Sequence, residues 1–130
     1  MYSRGISAEL LLQSLLVGRE IHVLQPVGGG LPYDVVVEKN GKFFKVQVKT
    51  TSSKSENRNQ YVVKLVHGCN NKSTYTVDEV DVFAVHITEE DEWFFMPNTG
   101  ILSMYLPKKE DSGNCCKYEK YRWNWGVFDG

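Results

Sequence analysis

The stretch from Pro32 to Thr50, PYDVVVEKNGKFFKVQVKT, sets a carboxylate, an amide and an ammonium (Asp34, Gln47 and Lys49) in or beside apolar, strand-like runs. A carboxylate oxygen and an amide oxygen side by side suit a hard divalent cation such as Mg2+. Such an ion polarises a phosphoryl oxygen and activates its bound water near neutral pH. A lysine close by stabilises the extra negative charge of a pentavalent phosphate. On spacing alone a plainer reading stands beside this one. An edge hairpin needs a polar outer face, and Asp, Gln and Lys are common there.

The element that must bring the three together is a hairpin. Asn40-Gly41, between β-branched and aromatic runs, predicts a two-residue turn joining Tyr33–Lys39 to Lys42–Thr50. Lys39 then faces Lys42, and Asp34 lies directly opposite Gln47 with Cβ atoms about 5 Å apart. Side chains alternate along a strand, so Lys49 projects on the side of Gln47, while Val35, Val37, Phe44, Val46 and Val48 turn to the other face. A bulge would break this register.

Around the hairpin the chain reads as a mixture of helix and strand. Apolar positions from Gly5 to Leu16 have helical spacing with a wide apolar face, and Gly18 stands where a terminating glycine would. Ile21–Leu24, Gln60–Val66, Val80–Ile87 and Glu92–Phe95 are strand candidates, and Asn98–Leu106 is read as a short helix. Gly28, Gly29 and Gly30 lie in a loop between Pro26 and Pro32; they do not form GxGxxG and no helix follows, which excludes a dinucleotide loop. The aromatic end, with Tyr118, Tyr121, Trp123 and Trp125, is expected to dock on the core rather than stack on bases. No repeat or linker divides the 130 residues, so one domain over 1–130 is expected.

Composition narrows the setting. With 42% hydrophobic and 24% charged residues the chain reads as an ordinary globular protein. No apolar run is long enough to cross a membrane, and a glutamate interrupts the first apolar stretch, which makes a poor secretory signal. Three cysteines (Cys69, Cys115 and Cys116) give no disulfide framework and point to a reducing, cytoplasmic setting. With His67 they lack C-x-x-C spacing, so free thiols are preferred to zinc, and His22, His67 and His86 lack HNH-type spacing. The net charge of −1 decides nothing, but its distribution does: from Lys39 to Lys72 there are eight lysines and arginines against one acid, Glu56. Such a stripe is often just a solvated face, but it is also the footprint that phosphate binding requires. Lys45 within it, and Thr51, Ser52, Lys54 and Arg58 in the polar loop after Lys49, are the candidate contacts to backbone phosphates of DNA, with a solvated connection as the plainer reading of that loop.

The run PYDVVV, turn, FFKVQVK resembles the PD-(D/E)xK nuclease signature, in which Pro-Asp opens one strand and acid-x-Lys lies in the next. It is similar, more narrowly, to a bacterial group I intron homing endonuclease family with Q-x-K in place of acid-x-Lys and a glutamate on the amino-terminal helix. The matching residues are Glu9 in SAELL, Asp34 in PYD, and Gln47 with Lys49 in VQVKT; EVDVFAVHI, EWFFMP and the aromatic end extend the similarity over nearly the whole chain. Two departures stand out: Tyr33 intervenes between Pro32 and Asp34, and Gln47 replaces an acid, lowering the site's negative charge unless Glu9 supplies it.

The resemblance implies an α/β (α+β) fold with a restriction-endonuclease-like core, a mixed β-sheet flanked by helices. It implies Mg2+-dependent hydrolysis of DNA phosphodiesters, with Mn2+ as a substitute. Asp34, Gln47, the Val48 carbonyl and Glu9 are the expected metal contacts, and Lys49 the residue that steadies the scissile phosphate and positions water. For Glu9 the residues alone favour a solvated helix position. One site per chain implies at least a homodimer, or a homotetramer, on double-stranded or branched DNA. A Holliday-junction resolvase and a DNA-binding domain that does not cut are the alternatives to site-specific double-strand cleavage of homing type.

Overall fold

A computed structural model describes residues 2–52, 60–66, 74–108 and 117–130. Its first element, α1 (Tyr2–Gly18), buries Ala8, Leu12 and Leu16, which recur every four residues on one face. The buried stripe is narrower than the sequence suggested: Ile6 and Leu10 are 55% and 61% exposed. The helix also ends later than expected. Gly18 is its last residue, and Glu20 takes the left-handed position (φ 62). Glu20 N–H donates to the Val17 carbonyl and Ile21 N–H to the Leu16 carbonyl at 2.9 and 3.0 Å, the paired bonds of a Schellman ending. Ile21 and Leu16 are buried in one apolar cluster, which offsets the strain at Glu20.

Five strands form one sheet: β1 (His22–Leu24), β2 (Val35–Lys39), β3 (Lys42–Thr51), β5 (Val82–Ile87) and β6 (Glu92–Pro97), in the order β1-β2-β3-β5-β6. The β3–β5 pair is parallel and the others antiparallel, so the sheet is mixed. The hairpin is where the sequence put it. Lys39 pairs with Lys42 and Val35 with Val46, around a turn in which Asn40 and Gly41 both have positive φ, 54 and 81. Between β3 and β5 the chain forms β4 (Gln60–Lys64), which pairs with β7 (Ser103–Pro107) in a separate two-stranded antiparallel sheet.

The strand β7 corrects the helix expected over Asn98–Leu106. Met104 and Leu106 are buried while Ser103 and Tyr105 are exposed, a period of two rather than 3.6. Consequently α1 is the only α-helix among the described residues, and the two faces of the main sheet are covered differently. Val35, Val37, Val46, Val48, Val82 and Ala84 pack under α1 and the chain end, as the hairpin alternation required. Phe83, Val85 and Ile87 on the opposite face pack with Tyr61, Val63, Met104 and Leu106 of the small sheet.

The aromatic end docks on the core. Phe128 is fully buried, with its ring centroid 5.6 Å from Phe44 and 6.1 Å from Phe95, and Trp123 and Trp125 pack beside it. Arg122 fastens this segment by donating to Glu92 and Glu119 at 3.0 and 2.8 Å. The described helix is neither long nor apolar enough to cross a membrane.

Candidate active site

The site grows from the place where β2 stops and β3 continues. Even-numbered residues of β3 turn their backbone groups toward β2, and the pairing with β2 ends at Val35–Val46. Two residues further on, Val48 therefore has an N–H and a carbonyl at an edge that no strand among the described residues covers. Asp34 fills this gap. Its own N–H donates to the Val46 carbonyl at 2.8 Å, and its carboxylate Oδ2 accepts the Val48 N–H at 2.8 Å.

This geometry corrects the expected register at one point. Asp34 is not the ladder partner of Gln47; its N–H shares the carbonyl level of Val46, a slip of one residue at the mouth of the hairpin. The physical consequence is that the carboxylate lies along the strand edge, beside Val48, instead of standing off the sheet. The Gln47 amide nevertheless reaches the same place, with Nε2 3.5 Å from the Val48 carbonyl oxygen. Rotating that amide by half a turn presents its oxygen in the same position.

The charges of these groups act on one another. Burial raises the Asp34 carboxyl above the ordinary carboxylate value, opposed by the Val48 hydrogen bond and by the positive charge of Lys49. Burial also raises Glu9, and the negative charge of Asp34 adds to it. The Lys49 ammonium is pushed down by burial and held up by Asp34. Glu9 comes from α1, below the sheet, and Lys49 lies on the opposite face, so Asp34 at the edge is the link between them. Glu9 and Asp34 both line a cleft of about 190 Å3 whose other walls include Gln25, Tyr33 and the run Gly28–Gly30.

The remaining predicted contacts divide. Lys45 lies on the face of Gln47, but its ammonium donates to the Asp78 carbonyl, so this lysine is held against the 76–81 segment rather than turned to Asp34. Thr51 is buried, its hydroxyl donates to the Val62 carbonyl, which ties β3 to β4, and it lies on the wall of a second cleft. Ser52 is half-buried on the wall of the same cleft, of about 320 Å3, shared with Lys49 and Lys64. Lys54, Arg58 and the His67, Cys69, Cys115 and Cys116 group lie outside the described residues.

One neighbour carried no signal in the sequence. Tyr75, in KSTYTVDEV, puts its ring 5.2 Å from the Lys49 ammonium, and its hydroxyl is raised by burial and by the charges of Asp34 and Glu79. An isolated tyrosine in a turn-rich segment has no periodicity to mark it; only the tertiary placement of that segment does.

Among the described residues no cluster of three His, Cys, Asp or Glu side chains is arranged to hold a metal ion. The donor set at the Val48 edge is different in kind: the Asp34 carboxylate, a backbone carbonyl and the Gln47 amide, with Glu9 on the wall of the cleft that Asp34 also lines. The carboxylate, the carbonyl and the Gln47 amide once turned are hard oxygen donors, and the charges of Asp34 and Glu9 oppose each other with Lys49 as the nearby counter-charge. That set fits Mg2+ by its chemistry.

The family model for PD-(D/E)XK endonuclease matches residues 3–111. Among solved structures, the fold is similar to that of I-Ssp6803I, a bacterial homing endonuclease. The TM-score is 0.79 at 24% identity, covering 96% of this chain and 90% of that one. It is also similar to Hjc, a Holliday junction resolvase from Archaeoglobus fulgidus, with a TM-score of 0.54 and 15% identity over 85% of this chain and 97% of that one. No curated protein matches the chain in sequence.

Proposed function

Because the chain belongs to the PD-(D/E)XK endonuclease family, we propose that it is a Mg2+-dependent DNA endonuclease making site-specific double-strand breaks of homing type, with residues 1–130 as one catalytic domain. The observation that carries this reading is the Asp34 carboxylate seated on the Val48 N–H at the uncovered edge of β3, with the Gln47 amide beside it and Lys49 within its field.

Asp34, the Val48 carbonyl and the Gln47 oxygen would hold the ion, with Glu9 completing the set from α1. The ion, Mg2+ or Mn2+ in its place, supplies polarisation of the scissile phosphate and a lowered pKa for water. The protein side chains do the rest. Asp34 is oriented by its bond from Val48 N–H and cannot swing away without leaving that donor unpaired. Lys49 offers its ammonium to a non-bridging phosphate oxygen, where negative charge grows as the attacking oxygen adds, and it orients the water for that attack. Half-burial sharpens this interaction, because the ammonium is only partly hydrated. Ser52 and Lys64, which line the adjoining cleft, would follow the DNA backbone.

One chain carries one such site, and a duplex has two antiparallel strands. A homodimer, or a homotetramer built from dimers, places two sites in the required two-fold relation. A cytoplasmic place of action, read from the cysteine usage, agrees with DNA as substrate. Homing-type cleavage is preferred because the likeness to I-Ssp6803I is closer and covers more of this chain. The likeness to Hjc, covering 97% of that chain, supports junction cleavage as the second reading.

The test is cleavage of supercoiled plasmid, linear duplex and a four-way junction with Mg2+. Cleavage of duplex that is lost in EDTA and falls about a hundredfold or more in Lys49→Ala supports the proposal. Cutting confined to the junction selects the resolvase reading. Salt-dependent binding with no cleavage in any divalent metal selects a DNA-binding domain and overturns the enzyme.

A further inference from the structure

The Lys49 side chain does not end in open solvent. Its ammonium lies 5.2 Å from the centroid of the Tyr75 ring and 3.4 Å from the Val66 carbonyl oxygen. Both walls of this seat belong to one small unit, since Val66 and Thr74 form a β-bridge immediately before Tyr75. That unit is fixed from behind. The Asn98 amide donates to the carbonyls of Tyr75, Thr76 and Val80 at 2.8, 3.1 and 3.0 Å, and the Tyr75 ring meets Phe83 edge-on at 5.7 Å. Tyr75 is 7% exposed, so its ring is a built wall and not a surface flap.

We propose that Tyr75 is a positioning residue for Lys49: its ring face, with the Val66 carbonyl, fixes where the ammonium meets a DNA phosphate. The proposal rests on the endonuclease reading above. A lysine has four rotatable bonds and loses considerable freedom when held in one place. An aromatic face within about 6 Å attracts an ammonium without neutralising it or consuming its donor hydrogens. A carboxylate partner would hold Lys49 equally well but would compete with the phosphate. The ring leaves the charge available.

The test compares single-turnover cleavage of duplex DNA by the full chain and its variants. Tyr75→Phe keeps the ring and should cleave within about twofold of wild type. Tyr75→Leu should lower kcat about ten- to thirtyfold with KM unchanged, an effect expected from one desolvated cation–π contact. In a Lys49→Ala background Tyr75→Leu should have no further effect, which a purely structural tyrosine would not produce. Should Tyr75→Leu fail to fold, stepwise fluorinated phenylalanines at position 75 preserve shape while emptying the ring face of electron density, and kcat should fall with each step. Equal losses in both backgrounds, or full activity of the most fluorinated variant, overturn the proposal. A wild-type chain that cuts no DNA removes the endonuclease reading itself, and the role of Tyr75 falls with it.

Discussion

The Asp34 carboxylate accepts the Val48 backbone N–H at 2.8 Å, at the point where β3 has outrun β2. One side chain thus does the work of a missing strand: it satisfies an edge donor and, in the same position, brings negative charge beside the Val48 carbonyl. The arrangement explains why a carboxylate stands at the mouth of an apolar hairpin. It also has an energetic cost, because burial opposes its ionised form.

That cost makes stability depend on pH in a defined direction. Asp34 and Glu9 are both raised, so over the carboxylate range the folded chain binds protons more readily than the unfolded chain. Their contribution favours the fold below the ordinary carboxylate values and is lost as pH rises from there through the raised ones. Asp34→Asn keeps an oxygen to accept the Val48 N–H and removes the charge. It is expected to abolish cleavage yet melt a few degrees higher than wild type near neutral pH, with the gap closing below about pH 4. Thermal melts across pH check this; an Asp34→Asn chain that melts lower at neutral pH contradicts it.

A divalent cation should reverse the same penalty. Melting temperature is expected to rise with added Mg2+ or Mn2+, by roughly 2.7 kcal/mol of stability at a hundredfold excess over Kd. The rise should be larger near pH 8 than near pH 5, where protons compete for Asp34 and Glu9, and absent in Asp34→Asn. Calorimetry in matched buffers gives the answer.

Gln47 tests the charge balance of the site. Gln47→Glu adds a carboxylate beside the Val48 carbonyl and within reach of Asp34. Metal binding is expected to tighten about tenfold while the metal-free chain loses stability, since a third negative charge joins two that already repel. Gln47→Ala should weaken metal binding. Titration of both variants with Mn2+ distinguishes an oxygen donor from a solvated polar face.

The chain end supports the sheet that carries the site. Phe128, fully buried against Phe44 and Phe95, is expected to cost about 3–5 kcal/mol when replaced by alanine. Urea unfolding of Phe128→Ala measures it. A change below about 1 kcal/mol would mean that the end segment does not pack as described.

Much of the hairpin, and which face each candidate site residue takes, was legible in the sequence because its signals are local. Asn40-Gly41 fixes the turn, the turn fixes the alternation, and alternation puts Gln47 and Lys49 on one face with the valines on the other. The Asp34 slip was not legible, since it depends on the edge left free by a short β2. Asn98–Leu106 was misread because Ile101, Leu102, Met104 and Leu106 satisfy helical spacing as well as alternation, and only pairing with β4 decides between them. Glu20 in the left-handed position was missed because Gly18 offered the commoner ending. Tyr75 was invisible: its contact with Lys49 crosses from β3 to a segment beyond β4, a separation that no short pattern spans.

The central claim is that Asp34, Gln47 and the Val48 carbonyl share one cation. A crystal of the chain soaked in Mn2+ and measured at the manganese absorption edge tests it most directly. The expected result is an anomalous peak between the Asp34 carboxylate and the Val48 carbonyl, about 2.2 Å from oxygen ligands, with Glu9 on its α1 side. No peak there at saturating Mn2+, or a peak held by other residues, would contradict the account.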